Sequence, residues 1–160
     1  MKNLSFARYV VYAALWAAAD LASKKYMFAF LADKPGQGME VLPFFNLVTV
    51  RNTGVSFGMF SSMQYGREIL LAVGCLVAFA MGVWLWRTPH KTEAFALSLI
   101  IGGAAGNIVD RWRNGFVADF LDFHVKQFHW PAFNLADSVI FIGVALLMWM
   151  EYKKSKLTKG

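Results

Sequence analysis

The sequence predicts an all-α membrane protein built on a four-transmembrane-helix bundle, and three observations predict this fold. Of the 160 residues, 58% are hydrophobic and only 16% are charged, whereas a typical soluble domain is about 45–50% apolar and about 25% charged. Long apolar segments alternate with short polar ones, and many of the basic residues lie beside the same ends of these segments. The length suits one domain, predicted to cover residues 1–160.

The four predicted spans are, in chain order, about 7–31, 69–86, 94–111 and 137–150. A membrane-spanning helix needs about 20 mainly apolar residues, so the uncharged second segment fits best. The third and fourth segments are shorter, and their polar ends are expected to lie in the membrane or at its surface. The first segment is interrupted by Asp20, Lys24 and Lys25.

The distribution of basic residues predicts the orientation of the bundle. Both termini and the 87–93 turn carry eight of the 16 basic residues but only two of the ten acids. This side is therefore predicted to face the cytoplasm, and the loops 32–66 and 112–136 to face outward. Because the charges flank spans and do not form one basic folded face, no nucleic-acid partner is expected.

The two outer loops have distinct compositions. Residues 41–51 are rich in Val, Phe and Thr, which predicts one or two short strands. Residues 116–130 are rich in aromatic side chains and are expected in the membrane interface. The lone cysteine, Cys75, excludes a disulfide within the chain and is interpreted as a small buried apolar residue.

Polar residues interrupt the first span in a helical pattern. Asp20 and Lys24 are spaced i, i+4, so they share one helix face. One interpretation is an ion pair at a helix end that reaches the interface. The other is a structural role beneath a functional site, since charges at membrane depth are costly.

The third span combines small and polar residues. Gly102 and Gly106 form a small-xxx-small pattern, which is typical of close helix packing in membranes. Gly103, Asn107 and Asp110 fall on one face of the same helix. Arg111 follows Asp110 directly and is the expected partner of its carboxylate.

Two aspartates lie where apolar segments meet short connections. Asp119 and Asp137 could share one proton and activate a water molecule, which suffices for peptide hydrolysis. Asp122 is three residues from Asp119, and the sequence alone leaves open which of the two is a surface carboxylate. Asn134 suits a helix N-cap, with Asp137 in the favourable first turn.

Other kinds of site find little support. His124 and His129 lack the spacing of a zinc-binding His-Glu-x-x-His motif, and no phosphate-binding glycine loop occurs. Neither a metal nor a cofactor is therefore expected. Two alternatives to an enzyme are a transporter subunit that relays protons and an assembly factor that binds a partner helix. A relay would place acids across the membrane depth, whereas these acids are predicted at one leaflet.

Six motifs occur in a characteristic order: Asp20-Leu-Ala-Ser-Lys24, Asn52-Thr-Gly-Val-Ser-Phe-Gly58, Gly102-Gly-Ala-Ala-Gly-Asn107, Asp110-Arg111, Gly115-Phe-Val-Ala-Asp119-Phe120 and Phe133-Asn-Leu-Ala-Asp137. Together with the four spans, they resemble the bacterial lipoprotein signal peptidase (signal peptidase II) family over nearly the whole chain.

The resemblance implies a membrane aspartic endopeptidase. It would cut diacylglyceryl-modified prolipoproteins before the lipidated cysteine, with Asp119 and Asp137 as catalytic residues. It also implies supporting or substrate-binding roles for Asp20, Lys24, Asn52, Gly54, Gly103, Asn107, Asp110, Arg111, Asn134 and Ala136.

The resemblance also carries expectations about surroundings and fold. It implies a bacterial cytoplasmic (inner) membrane location with the active site at the extracytoplasmic face. Membrane lipid and peptide antibiotics of the globomycin type, as inhibitors, are the other expected partners. The family fold adds a small extracytoplasmic β-sheet and a short interfacial helix to the bundle.

Overall fold

Four long helices form the body of the protein. The computed structural model describes residues 2–34, 38–54 and 65–157, with side chains from residue 6 onward. The helices are α1 (Lys2–Leu31), α2 (Gly66–Arg87), α3 (Lys91–Asn114) and α4 (Leu135–Leu157). Helix α3 is central, because it packs against each of the other three.

Three of these helices are long and apolar enough to cross a membrane. They are α2, α3 and α4, with mean hydropathies of 2.3, 1.4 and 1.6. Helix α1 is 30 residues long but is not in this group, and its second half contains Asp20, Lys24 and Lys25. The mostly helical fold is therefore confirmed, with three helices able to cross a membrane, whereas the fourth span remains a prediction.

Glycines on α3 allow the helices to approach closely. A Cβ at Gly102 would lie 2.6 Å from the carbonyl oxygen of Ala13 on α1. A Cβ at Gly103 would lie 2.5 Å from the carbonyl oxygen of Ala136 on α4. Both distances are below any normal carbon–oxygen contact, so a larger residue would push the helices apart. The close packing predicted from the small-xxx-small pattern is confirmed.

A small antiparallel sheet joins the two loops that are predicted to face outward. Its strands are β1 (Gly38–Leu42), β2 (Phe45–Asn52), β3 (Val117–Val125) and β4 (Phe128–His129), in that spatial order. Strands β2 and β3 pair with Val50 opposite Asp119 and Asn52 opposite Val117. The register therefore brings the end of β2 beside the start of β3, although about 65 residues separate them.

The turn from α3 into β3 directs Asp119 back toward the bundle. Gly115 ends the helix with φ of 80°, a left-handed conformation that glycine adopts without strain. Its N–H donates to the carbonyl oxygen of Arg111 at 3.0 Å. The N–H of Ala118 then donates to Asp110 Oδ2 at 2.8 Å, which ties the start of β3 to α3.

Residues 116–130 form mainly the hairpin of β3 and β4, and their location in the membrane interface remains a prediction. The expectation that Cys75 is buried is wrong. Cys75 is exposed on α2, whose outward face would meet lipid. Within 2–34, 38–54 and 65–157 no short interfacial helix occurs. Ser56 and Gly58 of the second motif, and Lys159, lie outside the described residues.

Candidate active site

A cleft of about 680 Å³ lies between the sheet, the C-terminal part of α3 and the start of α4. Six of the residues selected from the sequence line it: Asn52, Gly54, Asn107, Arg111, Asp119 and Asp137. The other six, Asp20, Lys24, Gly103, Asp110, Asn134 and Ala136, are buried behind it. All of these residues therefore belong to one region of the molecule.

Asp119 is held from both sides by amide groups. It lies on β3 and is only 1% exposed. Asn134 Nδ2 donates to its Oδ1 at 2.6 Å, and Asn52 Nδ2 donates to its Oδ2 at 2.9 Å. Each carboxylate oxygen thus has one protein donor and keeps a lone pair for a ligand in the cleft.

Asp137 is positioned by a reciprocal cap at the start of α4. The N–H of Asp137 donates to Asn134 Oδ1 at 3.0 Å, and the N–H of Asn134 donates to Asp137 Oδ2 at 3.2 Å. This arrangement is a capping box, in which each side chain satisfies a free backbone donor of the other residue. The predicted N-cap role of Asn134 is confirmed, and the cap fixes the direction of the Asp137 carboxylate.

Asn107 connects the two aspartates. Its Nδ2 donates to Asp137 Oδ1 at 2.8 Å, and its Oδ1 accepts from Asn134 Nδ2 at 3.2 Å. Because Asn134 also donates to Asp119, both carboxylates belong to one hydrogen-bonded network. Lys24 Nζ donates to Asn107 Oδ1 at 2.7 Å and so determines which end of this amide faces Asp137.

Asp20 and Lys24 form a buried ion pair beneath the network. Their Nζ–Oδ2 distance is 2.7 Å, and the two side chains are 0% and 3% exposed. Asp20 Oδ1 also accepts from the N–H of Ala136 at 2.8 Å, at the start of α4. The pair therefore has the structural role beneath the site, and the interpretation as an ion pair reaching the interface is wrong.

The expected pairing of Asp110 with Arg111 is also wrong. Asp110 Oδ1 accepts from Asn114 Nδ2 at 2.6 Å, its Oδ2 accepts from Ala118, and Lys24 Nζ lies 3.7 Å away. Arg111 instead donates to the carbonyl oxygen of Gly54 at 2.9 Å. Neighbours on a helix point about 100° apart, so adjacency in sequence separates these two side chains.

The structure separates Asp119 from Asp122. Residues three apart on a strand point to opposite faces of a sheet. Asp122 accepts from Asn46 Nδ2 at 3.0 Å and lies 2.8 Å from His129 Nδ1, away from the cleft. Neither residue is a surface carboxylate, because both are buried, and of the two Asp119 lines the cleft.

The cleft also has an apolar wall that the sequence analysis did not identify. Its members come from the connection between β4 and α4 and from the outer face of α4: Trp130, Pro131, Ala132, Phe133, Phe141 and Ile142. Phe141 is 76% exposed and Ile142 is 50% exposed. The only sequence signal was the aromatic content of 116–130, which includes Trp130 but did not distinguish a cleft wall from an interfacial segment.

This arrangement suits acid–base chemistry on a bound amide. Asp119 and Asp137 are the two acids among the described residues of the cleft wall. No group of three or more His, Cys, Asp or Glu side chains suited to a metal ion occurs in the described part of the chain. Asp20 and Asp110 join the same network, in the same region of the molecule. The acids of a proton relay would instead be distributed across the membrane depth.

The environment of Asp119 raises the pKa of its carboxyl group to about 6. Burial is the main cause, and the nearby charge of Asp137 adds to it. Hydrogen bonds from Asn52 and Asn134 act in the opposite direction, because they stabilise the ionised carboxylate. The folded protein therefore holds this proton more tightly than an unfolded chain, in which the pKa would be 3.8.

We expect the stability difference between the wild type and Asp119→Asn to depend on pH. The extra stability from the bound proton is fully present below pH 3.8 and is lost as the pH rises through 6. The expected swing in the free energy of unfolding is about 3 kcal/mol between pH 3.5 and pH 8. Equilibrium unfolding in mixed micelles at a series of pH values measures it.

The same series in an Asp137→Asn background provides the control. Removing the Asp137 charge should shift the midpoint of this dependence to lower pH. A stability difference that stays constant from pH 3.5 to pH 8 would contradict the raised pKa.

Comparisons with known proteins agree on one family. The family described as Signal peptidase (SPase) II matches residues 12–153. A lipoprotein signal peptidase of Methylocella silvestris is 44% identical over 138 residues, covering 86% of this chain and 81% of that protein. One from Vibrio cholerae is 43% identical over 121 residues, covering 74% of this chain and 71% of that protein.

Solved structures show the same fold. A bacterial membrane enzyme determined by the in meso method superposes with a TM-score of 0.77 at 28% identity. The match covers 93% of this chain and 90% of that enzyme. A second structure described in the same words gives a TM-score of 0.74 at 26% identity.

Proposed function

This chain belongs to the signal peptidase II family and removes signal peptides from prolipoproteins, and we propose that Asp119 and Asp137 are its catalytic pair. The observation that carries the proposal is the shared cleft, whose described wall holds these two acids and no others. Both are fixed by the same asparagine network, as a pair acting on one bond requires.

The pair would act through a water molecule. The ionised member takes a proton from water, and the protonated member polarises the carbonyl of the scissile peptide bond. Burial and the nearby charge of Asp137 raise the pKa of the Asp119 carboxyl group, which favours the protonated form of this member. Asn107 and Asn134 would hold the carboxylates in place through both steps.

The rest of the cleft would position the substrate. Asn52, Gly54 and Arg111 lie on its polar wall, where the peptide backbone would bind. The exposed side chains of Phe141 and Ile142 belong to its apolar wall. A diacylglyceryl group on the cysteine would remain in lipid beside this wall while the peptide enters, so that cleavage falls before the modified cysteine.

The proposed setting is the bacterial inner membrane, with α1 as the fourth span. The buried charges of Asp20 and Lys24 support this assignment, because they neutralise each other inside the bundle and do not meet lipid. The basic residues at both termini and the 87–93 turn support a cytoplasmic location for these segments. The cleft, at the other ends of α3 and α4, would then face outward.

The test is incubation of the purified protein with a diacylglyceryl-modified precursor and with the same precursor left unmodified. We expect cleavage of the modified precursor alone, immediately before its lipidated cysteine, with inhibition by globomycin and none by EDTA. Equal cleavage of both precursors would contradict the proposed lipid recognition. Inhibition by EDTA that added zinc reverses would contradict the two-aspartate mechanism.

A further inference from the structure

A second cavity lies at the opposite end of the bundle from the catalytic cleft. It has a volume of about 250 Å³ and lies between α1 and the turn that joins α2 to α3. Phe6 and Tyr9 of α1 form one side, and Arg87, Thr88, His90 and Lys91 form another. About 30 Å of helix separates Lys91 from Arg111, and the two cavities share no lining residue.

The charged groups of this cavity are basic. Arg87 and Lys91 have no ion-pair partner among the described residues. Glu93 is buried nearby, but Trp84 Nε1 donates to its Oε1 at 3.0 Å and the Thr88 hydroxyl donates to its Oε2. The cavity therefore presents cationic donors, while the nearest acid is hydrogen-bonded to protein.

An apolar groove continues from this basic cavity along α2. The groove has a volume of about 410 Å³ and is lined by Phe6, Phe79, Gly82, Val83, Trp86 and Arg87. Phe6, Trp86 and Arg87 also line the basic cavity, so the two spaces are direct neighbours. A Cβ at Gly82 would meet no atom within 4 Å, which leaves the floor of the groove open.

We propose that this end of the bundle binds one anionic phospholipid, with its headgroup in the basic cavity and an acyl chain in the groove. Two features select this ligand. Arg87, Lys91 and His90 can donate to a phosphate group, as basic pockets between membrane helices do. The groove beside them suits a hydrocarbon chain, which inorganic phosphate lacks.

The site differs from the proposed catalytic function and does not depend on it. Helix α2 is exposed over most of its length, so a lipid can reach the groove from the side. Occupancy would join α1 to the α2–α3 turn, where Phe6 and Trp86 already meet edge to face with ring centroids 4.9 Å apart.

Native mass spectrometry of the full chain in detergent tests the proposal with phosphatidylglycerol, phosphatidylethanolamine and inorganic phosphate as probes. We expect retention of phosphatidylglycerol over phosphatidylethanolamine. Arg87→Gln combined with Lys91→Gln should weaken this retention roughly 30-fold, since both removed charges face the headgroup. Gly82→Leu should weaken it about tenfold by filling the groove, an effect that loss of charge cannot explain.

The matched control is Lys153→Gln combined with Lys156→Gln. It removes two charges near the same end of the bundle, on α4 and outside both cavities. We expect it to retain phosphatidylglycerol like the wild type, and we expect all variants to keep cleaving the precursor.

Three outcomes would overturn the proposal. One is equal loss of retention in the control and in the Arg87/Lys91 variant, which indicates general surface attraction. Another is equal retention of the anionic and the zwitterionic lipid by the wild type. The third is displacement of phosphatidylglycerol by inorganic phosphate together with no effect of Gly82→Leu, which indicates a free-phosphate site.

Discussion

Asp119→Asn and Asp137→Asn should each reduce cleavage of a lipidated precursor by at least about 100-fold, the lower end of what a positioned acid or base contributes. An asparagine amide neither takes a proton from water nor protonates a leaving group. If the two carboxyl groups act as one unit, as proposed, the double variant should lose little more activity than either single variant. Single-turnover cleavage of the modified precursor measures the loss.

Asp122→Asn is the matched control for this prediction. Asp122 is also a buried aspartate on β3, but its side chain contacts Asn46 and His129. We expect its activity to stay within a few-fold of the wild type. The assignment of Asp119 and Asp137 as the catalytic pair would be wrong if Asp122→Asn lost as much activity as Asp119→Asn while all three variants stayed folded.

A folding measurement must accompany these assays. Both oxygens of Asp119 accept hydrogen bonds from asparagine amides. In Asp119→Asn, the new NH₂ group would therefore face one of these NH₂ donors, and that hydrogen bond would be lost. Some loss of stability is therefore compatible with the prediction. The thermal unfolding temperature separates the two effects, because a folded but inactive variant identifies a catalytic loss.

Lys24→Met should lower the free energy of unfolding by about 3–5 kcal/mol, the usual result of removing one partner of a buried ion pair. The substitution leaves the Asp20 carboxylate buried without its cation and deprives Asn107 of a donor. The neighbouring Asp110 loses a nearby positive charge as well. Activity should fall too, because the Asn107 amide oxygen then keeps only the longer hydrogen bond from Asn134, and its orientation toward Asp137 is less firmly fixed.

Lys25→Met is the control, since Lys25 is the next residue along α1 and is exposed. Its stability should change by less than about 0.5 kcal/mol, as for surface substitutions generally. Combining Lys24→Met with Asp20→Asn should restore part of the loss, because both charges are then removed and the remaining carbonyl oxygen can still accept from Ala136. Equal stability of Lys24→Met and Lys25→Met in equilibrium unfolding would contradict the structural role of the pair.

Several local features of the site were predictable from short stretches of sequence. The i, i+4 spacing of Asp20 and Lys24 indicates contact on one helix turn, and the structure shows the pair at 2.7 Å. Asn134 precedes an apolar helix and caps it, as its type and position indicate. Such features depend on neighbours within one helical turn, so the sequence contains most of the information needed.

Asp110 shows where reasoning from neighbours in sequence fails. Its adjacent residue, Arg111, was the expected partner, yet the chain reverses at Gly115 and returns Ala118 to the Asp110 carboxylate. The pairing depends on the left-handed turn and on the start of β3. Neither the turn nor the strand can be inferred from the residues adjacent to Asp110.

The sequence by itself indicated the membrane class and the close packing of α3, and its resemblance to a known family selected the residues that were expected at the site. Tertiary structure decided which of them meet: Asn107 reaches Lys24 across 83 positions, and Ala136 reaches Asp20 across 116. It also placed Asp119, and not Asp122, at the cleft, because alternate faces of a strand separate residues three apart, whereas a helix would bring them together. Spacing along the chain determines contacts within an element, but the packing of one element against another determines the site.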